Sequence, residues 1–175
     1  MTPRILVAGI GNIFLGDDAF GVEVVQRLAQ RKLPDGVKVV DFGIRGLDLA
    51  YALMDEYEAT ILIDTTQRGG SPGTIYTIEP DLRELNAPVH SEQSFDSHTM
   101  DPMQVLRLVK TMGGELKARI LLVGCEPATF GPENEGFMGL SHPVQAAVNE
   151  AVGVVESLLA GLLAHTADFA SNAER

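Results

Sequence analysis

The 175-residue sequence predicts an α/β fold, a three-layer α/β/α sandwich around a mostly parallel, mixed five-stranded sheet with one antiparallel strand. Three observations predict it. Short apolar runs ended by glycine or aspartate alternate with amphipathic stretches of helical length, the pattern of βαβ units with helices on both sheet faces. The first three strand runs all finish in, or just before, acidic residues: Asp18, Asp41 and Asp64. One link, Thr65 to Pro72 (TTQRGGSP), is too short for a helical crossover and so forces an antiparallel strand into the sheet.

In chain order, Arg4–Ala8 predicts a buried strand, and the glycine-rich turn after it leads into a helix reaching about Arg31, with Asp17 or Asp18 at its start. Leu33-Pro34-Asp35-Gly36 makes a turn into a second strand, Val37–Asp41, which runs out in Asp41-Phe42-Gly43-Ile44-Arg45-Gly46. A second helix spans Leu47 to about Tyr57, with Leu47, Ala50, Tyr51 and Met54 as its apolar face, before a third strand, Thr60–Ile63, ending in Asp64. Gly73–Ile78 is expected antiparallel to that third strand. Residues 79–97 form a long polar surface segment with a short helix near Asp81–Leu85. Asp101 then caps a helix with Pro102 in its first position, Gly113 as its stop, and Leu106, Val109 and Met112 as its stripe. Arg119–Val123 is the last strand, a second glycine-rich loop covers 128–140, and Ser141 opens a long final helix. Residues 1–164 make one domain, and 165–175 a polar, flexible tail.

Composition narrows the function. A net charge of −11 argues against nucleic acid and anionic membranes as partners. A single cysteine, Cys125, excludes an intrachain disulfide and a cysteine-rich zinc site. No leader sequence is evident and no apolar run is expected to reach membrane-spanning length, so the expected location is cytoplasmic.

Gly9-x-Gly11 suggests a dinucleotide turn, but Phe14 stands where the third glycine belongs. Asp17 and Asp18 at a helix start would also repel a phosphate that the helix dipole should attract. A metal site fits better. Asp18 and Asp64 fall on neighbouring strands at the carboxyl edge of the sheet, where ligands of open α/β sheets bind, and His98 can fold back to that edge. Two carboxylates and an imidazole leave open positions for water or substrate. The competing reading makes both aspartates caps and His98 a solvated loop residue. Cys125 is expected to be a small buried residue and not a nucleophile. Arg45, in the Gly43–Gly46 loop, could hold a substrate carboxylate or carbonyl.

The run Gly9-Ile10-Gly11-Asn12-Ile13-Phe14-Leu15-Gly16-Asp17-Asp18-Ala19-Phe20-Gly21 resembles the N-terminal signature of the [NiFe]-hydrogenase maturation endopeptidases. The similarity continues through Asp41-Phe42-Gly43-Ile44-Arg45-Gly46, Ile61-Leu62-Ile63-Asp64, Ser97-His98 and Gly139-Leu140-Ser141, in order, from Arg4 to about Leu163. It departs in having Asp18 where some relatives have Glu, Ala19-Phe20 in place of an Asp-Gly-x run, and His142 where a proline often follows the serine.

The resemblance implies an aspartyl-type endopeptidase that removes the C-terminal extension of the [NiFe]-hydrogenase large-subunit precursor once nickel is in place. It maps the metal ligands onto Asp18, Asp64 and His98, with nickel supplied by the precursor and other divalent metals able to occupy the site. Asp41 is a candidate base or orienting group, and Gly43, Arg45 and Gly46 are candidate substrate contacts. Asp17 becomes the capping residue, while Gly9 and Gly11 clear space for a protein substrate. The expected partner is the precursor, bound one to one by a monomer or weak oligomer. The alternatives are a metal-binding assembly factor that does not cut, or a peptidase of the same fold with another protein substrate, akin to the spore germination protease.

Overall fold

The structure, a computed structural model, describes residues 4–86 and 101–173, with side chains as far as His165. Five strands, β1 (Ile5–Ile10), β2 (Val37–Gly43), β3 (Ala59–Thr65), β4 (Ile75–Ile78) and β5 (Arg119–Cys125), form one sheet in the order β2-β1-β3-β5-β4. β2, β1, β3 and β5 are mutually parallel, and β4 alone is antiparallel. This is the mixed five-stranded sheet expected. The antiparallel strand, however, pairs with β5 and not with β3. The free edge of β3 is taken by β5, in register from Ala59↔Arg119 to Thr65↔Cys125. An apolar run such as ATILIDT, buried along nearly its whole length, belongs inside the sheet. The half-exposed IYTI of β4 suits the edge.

The alternation of side chains along the strands sorts them into two cores. Ile5, Val7, Ile61, Ile63, Leu121 and Val123 pack under α1 (Phe20–Leu28) and α4 (His142–Ala173). Leu6, Ala8, Ile10, Leu62 and Ile120 pack under α2 (Gly46–Leu53) and α3 (Pro102–Thr111). The sheet therefore carries two helices on each face.

Several boundaries and faces differ from expectation. A 3₁₀ turn, Gly16–Ala19, precedes α1, which ends at Leu28. α2 stops at Leu53 and buries Leu49, Ala50 and Leu53, leaving Leu47 and Tyr51 more than half exposed. On α3, Val105 joins Leu106 and Val109 in the core while Met112 lies toward solvent. Asp101 caps α3 as expected, its carboxylate accepting from the Met103 N–H at 2.9 Å, and the short 3₁₀ helix after β4 covers Leu82–Asn86. The expected tail continues α4 as helix to Ala173. The expectation that no apolar run reaches membrane-spanning length also fails, since residues 142–165 of α4 are long and apolar enough by length and composition. One face of that helix is core (Val144, Val148, Ala151, Val155, Leu159). The other is largely small residues, so little charge interrupts it.

The glycines of the opening motif serve the chain's own packing, not a substrate. A Cβ on Gly9 would sit 2.4 Å from Val25 Cγ2, and one on Gly11 would sit 1.8 Å from the Asp18 carbonyl oxygen. A Cβ on Gly21 would sit 2.1 Å from the Ile63 carbonyl oxygen and 2.3 Å from that of Ile10. α1 thus lies directly on the ends of β1 and β3, because neither side of the contact has a side chain to hold it off.

Gly21→Ala is expected to destabilise the protein by about 2–3 kcal/mol, because backbone on both sides must move. Gly153→Ala, on the exposed face of α4 with nothing within 4 Å of the added Cβ, is expected to stabilise by up to about 1 kcal/mol. Thermal melts of the two variants check this pair.

Candidate active site

The close seat of α1 sets the Gly16–Ala19 turn against the carboxyl ends of β1 and β3. Asp18 projects from that turn and Asp64 from the end of β3, and both line one cavity of about 1010 Å³. Asp18 Oδ2 accepts from the Asn12 N–H at 2.7 Å, and Asp18 Oδ1 accepts from the Thr65 hydroxyl at 3.4 Å. Asp64 is only 3% exposed, and its Oδ1 accepts from the Thr65 N–H at 2.7 Å. Thr65 therefore bridges the two carboxylates with its backbone and side-chain donors.

The electrostatics of the pair are unfavourable for two bare anions. Burial pushes the Asp18 carboxyl above its ordinary pKa, against the pull of its bonds from Asn12 and Thr65. Asp64 is pushed up well above its ordinary value, first by burial and next by the negative field of Asp18, with a smaller contribution from Asp101. Two desolvated carboxylates, with Asp18 pushing Asp64 further up, form a donor set that a divalent cation would relieve, through hard oxygen ligands on one side of an open cavity. Asp101, Thr66, Gln67, Arg68 and Phe130 also line that cavity.

His98, the third expected ligand, lies outside the described residues, as does His90. Asp41 is at the carboxyl edge but on β2, paired with Gly9 across β1 from β3, and is not among the residues lining the cavity. Arg45 is exposed, and its guanidinium donates to the Asp41 carbonyl and reaches Asp48 at 3.3 Å. Gly43 ends β2 and Gly46 opens α2 on either side of it, and neither lines the Asp18–Asp64 cavity. Cys125 is fully buried and its thiol is pushed up to about 12, mainly by burial, so it is no thiolate nucleophile near neutral pH.

Asp17 is not a cap. Neither the 3₁₀ turn nor α1 has a side-chain cap, and Asp17 points the other way, fully buried. Its carboxylate accepts from the N–H groups of Ala128, Thr129 and Ser141 at 2.7, 2.9 and 2.6 Å and from the Ser141 hydroxyl at 2.9 Å. Glu126 plays a similar part on the far wall. It accepts from the N–H groups of Arg68 and Gly69 and from the Tyr76 hydroxyl, which fixes the loop between β3 and β4 at the cavity rim. Those bonds, the one from Arg68 foremost, hold its carboxyl below the usual range. Only the unusual density of acidic residues at strand ends could have marked Glu126 in the sequence.

The raised carboxyls carry a stability consequence. A carboxyl whose folded-state pKa lies above its unfolded value supports folding most at low pH, and that support is lost as pH rises from the ordinary carboxylate value through the folded-state pKa. In metal-free protein at neutral pH, Asp64→Asn is therefore expected to raise stability by about 1 kcal/mol, or roughly 2–4 °C in Tm. The difference from wild type should shrink toward pH 4. Melting curves at pH 4 to 8 with a chelator present measure it.

Residues 22–158 match a family model described as hydrogenase maturation protease. The chain is 32% identical over 160 residues to the hydrogenase 2 maturation protease of Escherichia coli, covering 91% of this chain and 90% of that one. It is 33% identical over 169 residues to the hydrogenase expression/formation protein HupM of Azotobacter chroococcum, covering 93% and 76%. Among solved structures, the hydrogenase maturating endopeptidase HybD of E. coli superposes with a TM-score of 0.68 at 28% identity, covering 90% of this chain and 93% of that one. A hydrogenase 2 maturation peptidase from a Thaumarchaeota archaeon gives 0.63 at 32% identity, covering 89% and 97%. The chain belongs to the hydrogenase maturation protease family.

Proposed function

We propose that this protein is an endopeptidase that removes the C-terminal extension of a nickel-loaded [NiFe]-hydrogenase large-subunit precursor. The observation that carries the reading is a carboxylate pair, half-buried Asp18 and buried Asp64, lining one open cavity and joined by donors from Thr65. Among the described residues lining the cavity there is no serine or cysteine nucleophile, and Cys125 is buried and protonated. A pair that gains from a cation is suited to a substrate that brings its own metal.

In this reading Asp18 and Asp64, with His98 as third ligand, hold the precursor's nickel and so place the adjacent peptide at the cavity. The bound metal supplies Lewis acidity toward a peptide carbonyl or a water. Thr65 keeps both carboxylates oriented through its N–H and hydroxyl, and Asn12 holds Asp18 from the other side. Desolvation keeps their charge from being screened, which strengthens their hold on a cation. Other divalent cations that accept two carboxylates and an imidazole compete for the same ligands. Asp41 and the Gly43–Arg45–Gly46 loop, one strand further out, touch more distant parts of the precursor and not the scissile bond. The acidic surface suits a protein partner in the cytoplasm rather than nucleic acid, with the protein acting as a monomer.

Asp18→Asn, Asp64→Asn and His98→Ala are each expected to slow the shortening of nickel-loaded precursor by about 100-fold or more without unfolding the protein. Intact-mass analysis of the large subunit over time reads this out. Wild-type rates in any of the three would remove that residue from the site, and a wild-type protein that binds precursor without shortening it would make the chain a non-cleaving assembly factor.

A further inference from the structure

We infer that Asp17 is a positioning residue, whose buried carboxylate holds the 128–141 loop against the Asp18 turn so that the loop forms one wall of the precursor site. The inference rests on the cleavage reading above and adds to it the residue that organises the substrate-facing wall.

Asp17 is fully buried, and its carboxylate is met by neutral N–H and O–H donors. Its partners are donors from the two ends of a single loop: the N–H groups of Ala128 and Thr129 at one end, and the N–H and hydroxyl of Ser141 at the other. The two ends are thereby pinned to one point, the residue next to the metal ligand Asp18. The contact is closed by backbone bonds in both directions. Asp17 N–H donates to the Thr129 carbonyl at 3.0 Å, Gly16 N–H to that of Phe137 at 2.8 Å, and Phe137 N–H to that of Phe14 at 2.8 Å.

The loop has little regular structure of its own. Gly131, Asn134 and Gly139 all have positive φ, and an isolated bridge, Leu15↔Phe137, pairs the loop with the segment just before the 3₁₀ turn. What it presents is apolar. Phe130 lines the cavity with Asp18 and Asp64, and Phe137 and Met138 are 43% and 66% exposed beside it. Two of the four donors belong to Ser141, directly before α4, and the other two to Ala128 and Thr129 at the far end of the loop, so the carboxylate joins both ends and acts as a clamp. A carboxylate is required there. Oδ2 accepts three bonds and Oδ1 one, so an amide in either orientation turns an N–H₂ toward a buried donor.

The test compares wild type, Asp17→Asn and Ser141→Ala by steady-state cleavage of nickel-loaded precursor and by native-state amide exchange. Asp17→Asn is expected to raise KM about tenfold or more with kcat within about threefold, because the loop wall binds precursor while Asp18 and Asp64 stay intact. The Ala128, Thr129 and Ser141 amides should exchange about tenfold faster or more, with β3 amides unchanged. Ser141→Ala removes one of the four bonds and spares the carboxylate, so both effects should recur at a smaller factor. Faster exchange with wild-type KM would make Asp17 a structural residue only and overturn the inference; unchanged exchange would overturn it as well. Should Asp17→Asn fail to fold, Ser141→Ala decides, and a wild-type KM there overturns it. A wild-type protein that leaves the precursor uncut contradicts the cleavage reading and, with it, the KM arm, whereas the exchange arm judges the clamp by itself.

Discussion

Everything at the site depends on how closely α1 lies on the ends of β1 and β3. Gly9 and Gly21 remove the side chains that would stand between helix and sheet, and the backbone of Gly21 rests on the carbonyls of Ile10 and Ile63. Residues directly before the helix are then forced down onto the carboxyl edge of the sheet. Consecutive residues of the 3₁₀ turn project in different directions, so Asp17 faces inward to the loop and Asp18 faces the cavity it shares with Asp64. Asp17 finds donors. Asp18 finds a second carboxylate.

That arrangement works against folding stability and in favour of function. Burial raises the pKa of both carboxylates, and the field of Asp18 adds to it at Asp64, whose pKa lies well above the ordinary range. A protein optimised only for stability would not keep such a pair. In the proposed function the same two carboxylates would attract a cation, and the open cavity would admit one attached to a larger molecule. The surrounding walls are held by carboxylates of a different kind. Asp17 and Glu126 are saturated with N–H and O–H donors from the 128–141 loop and from the loop between β3 and β4, and so order the cavity rim without competing for metal.

Much of the fold was legible in the sequence because its signals are local. Apolar runs, turn glycines and the Asp101-Pro102 start are read within a few residues, and so the parallel βαβ core and the one antiparallel strand follow from them. What could not be read depends on contacts distant in sequence. The insertion of β5 between β3 and β4 follows from which edge of β3 is occupied, which no short window contains. The inward face of α2 rests on Leu49, Ala50 and Leu53 because α3 packs beside it, not because of its own periodicity alone. At the site, Asp18 and Asp64 were legible from their strand-end positions. Asp17 was not, since its partners lie between residues 128 and 141, and the glycines of the turn made room for Val25 and Asp18 of the same chain in place of a substrate.

The central claim is that the Asp18–Asp64 pair recognises a precursor through the nickel it carries. The most direct measurement mixes the wild-type protein with nickel-loaded and with nickel-free large-subunit precursor and follows the mass of the large subunit. The expected result is loss of the C-terminal extension from the nickel-loaded precursor alone. Equal shortening of both forms, or of neither, would contradict it.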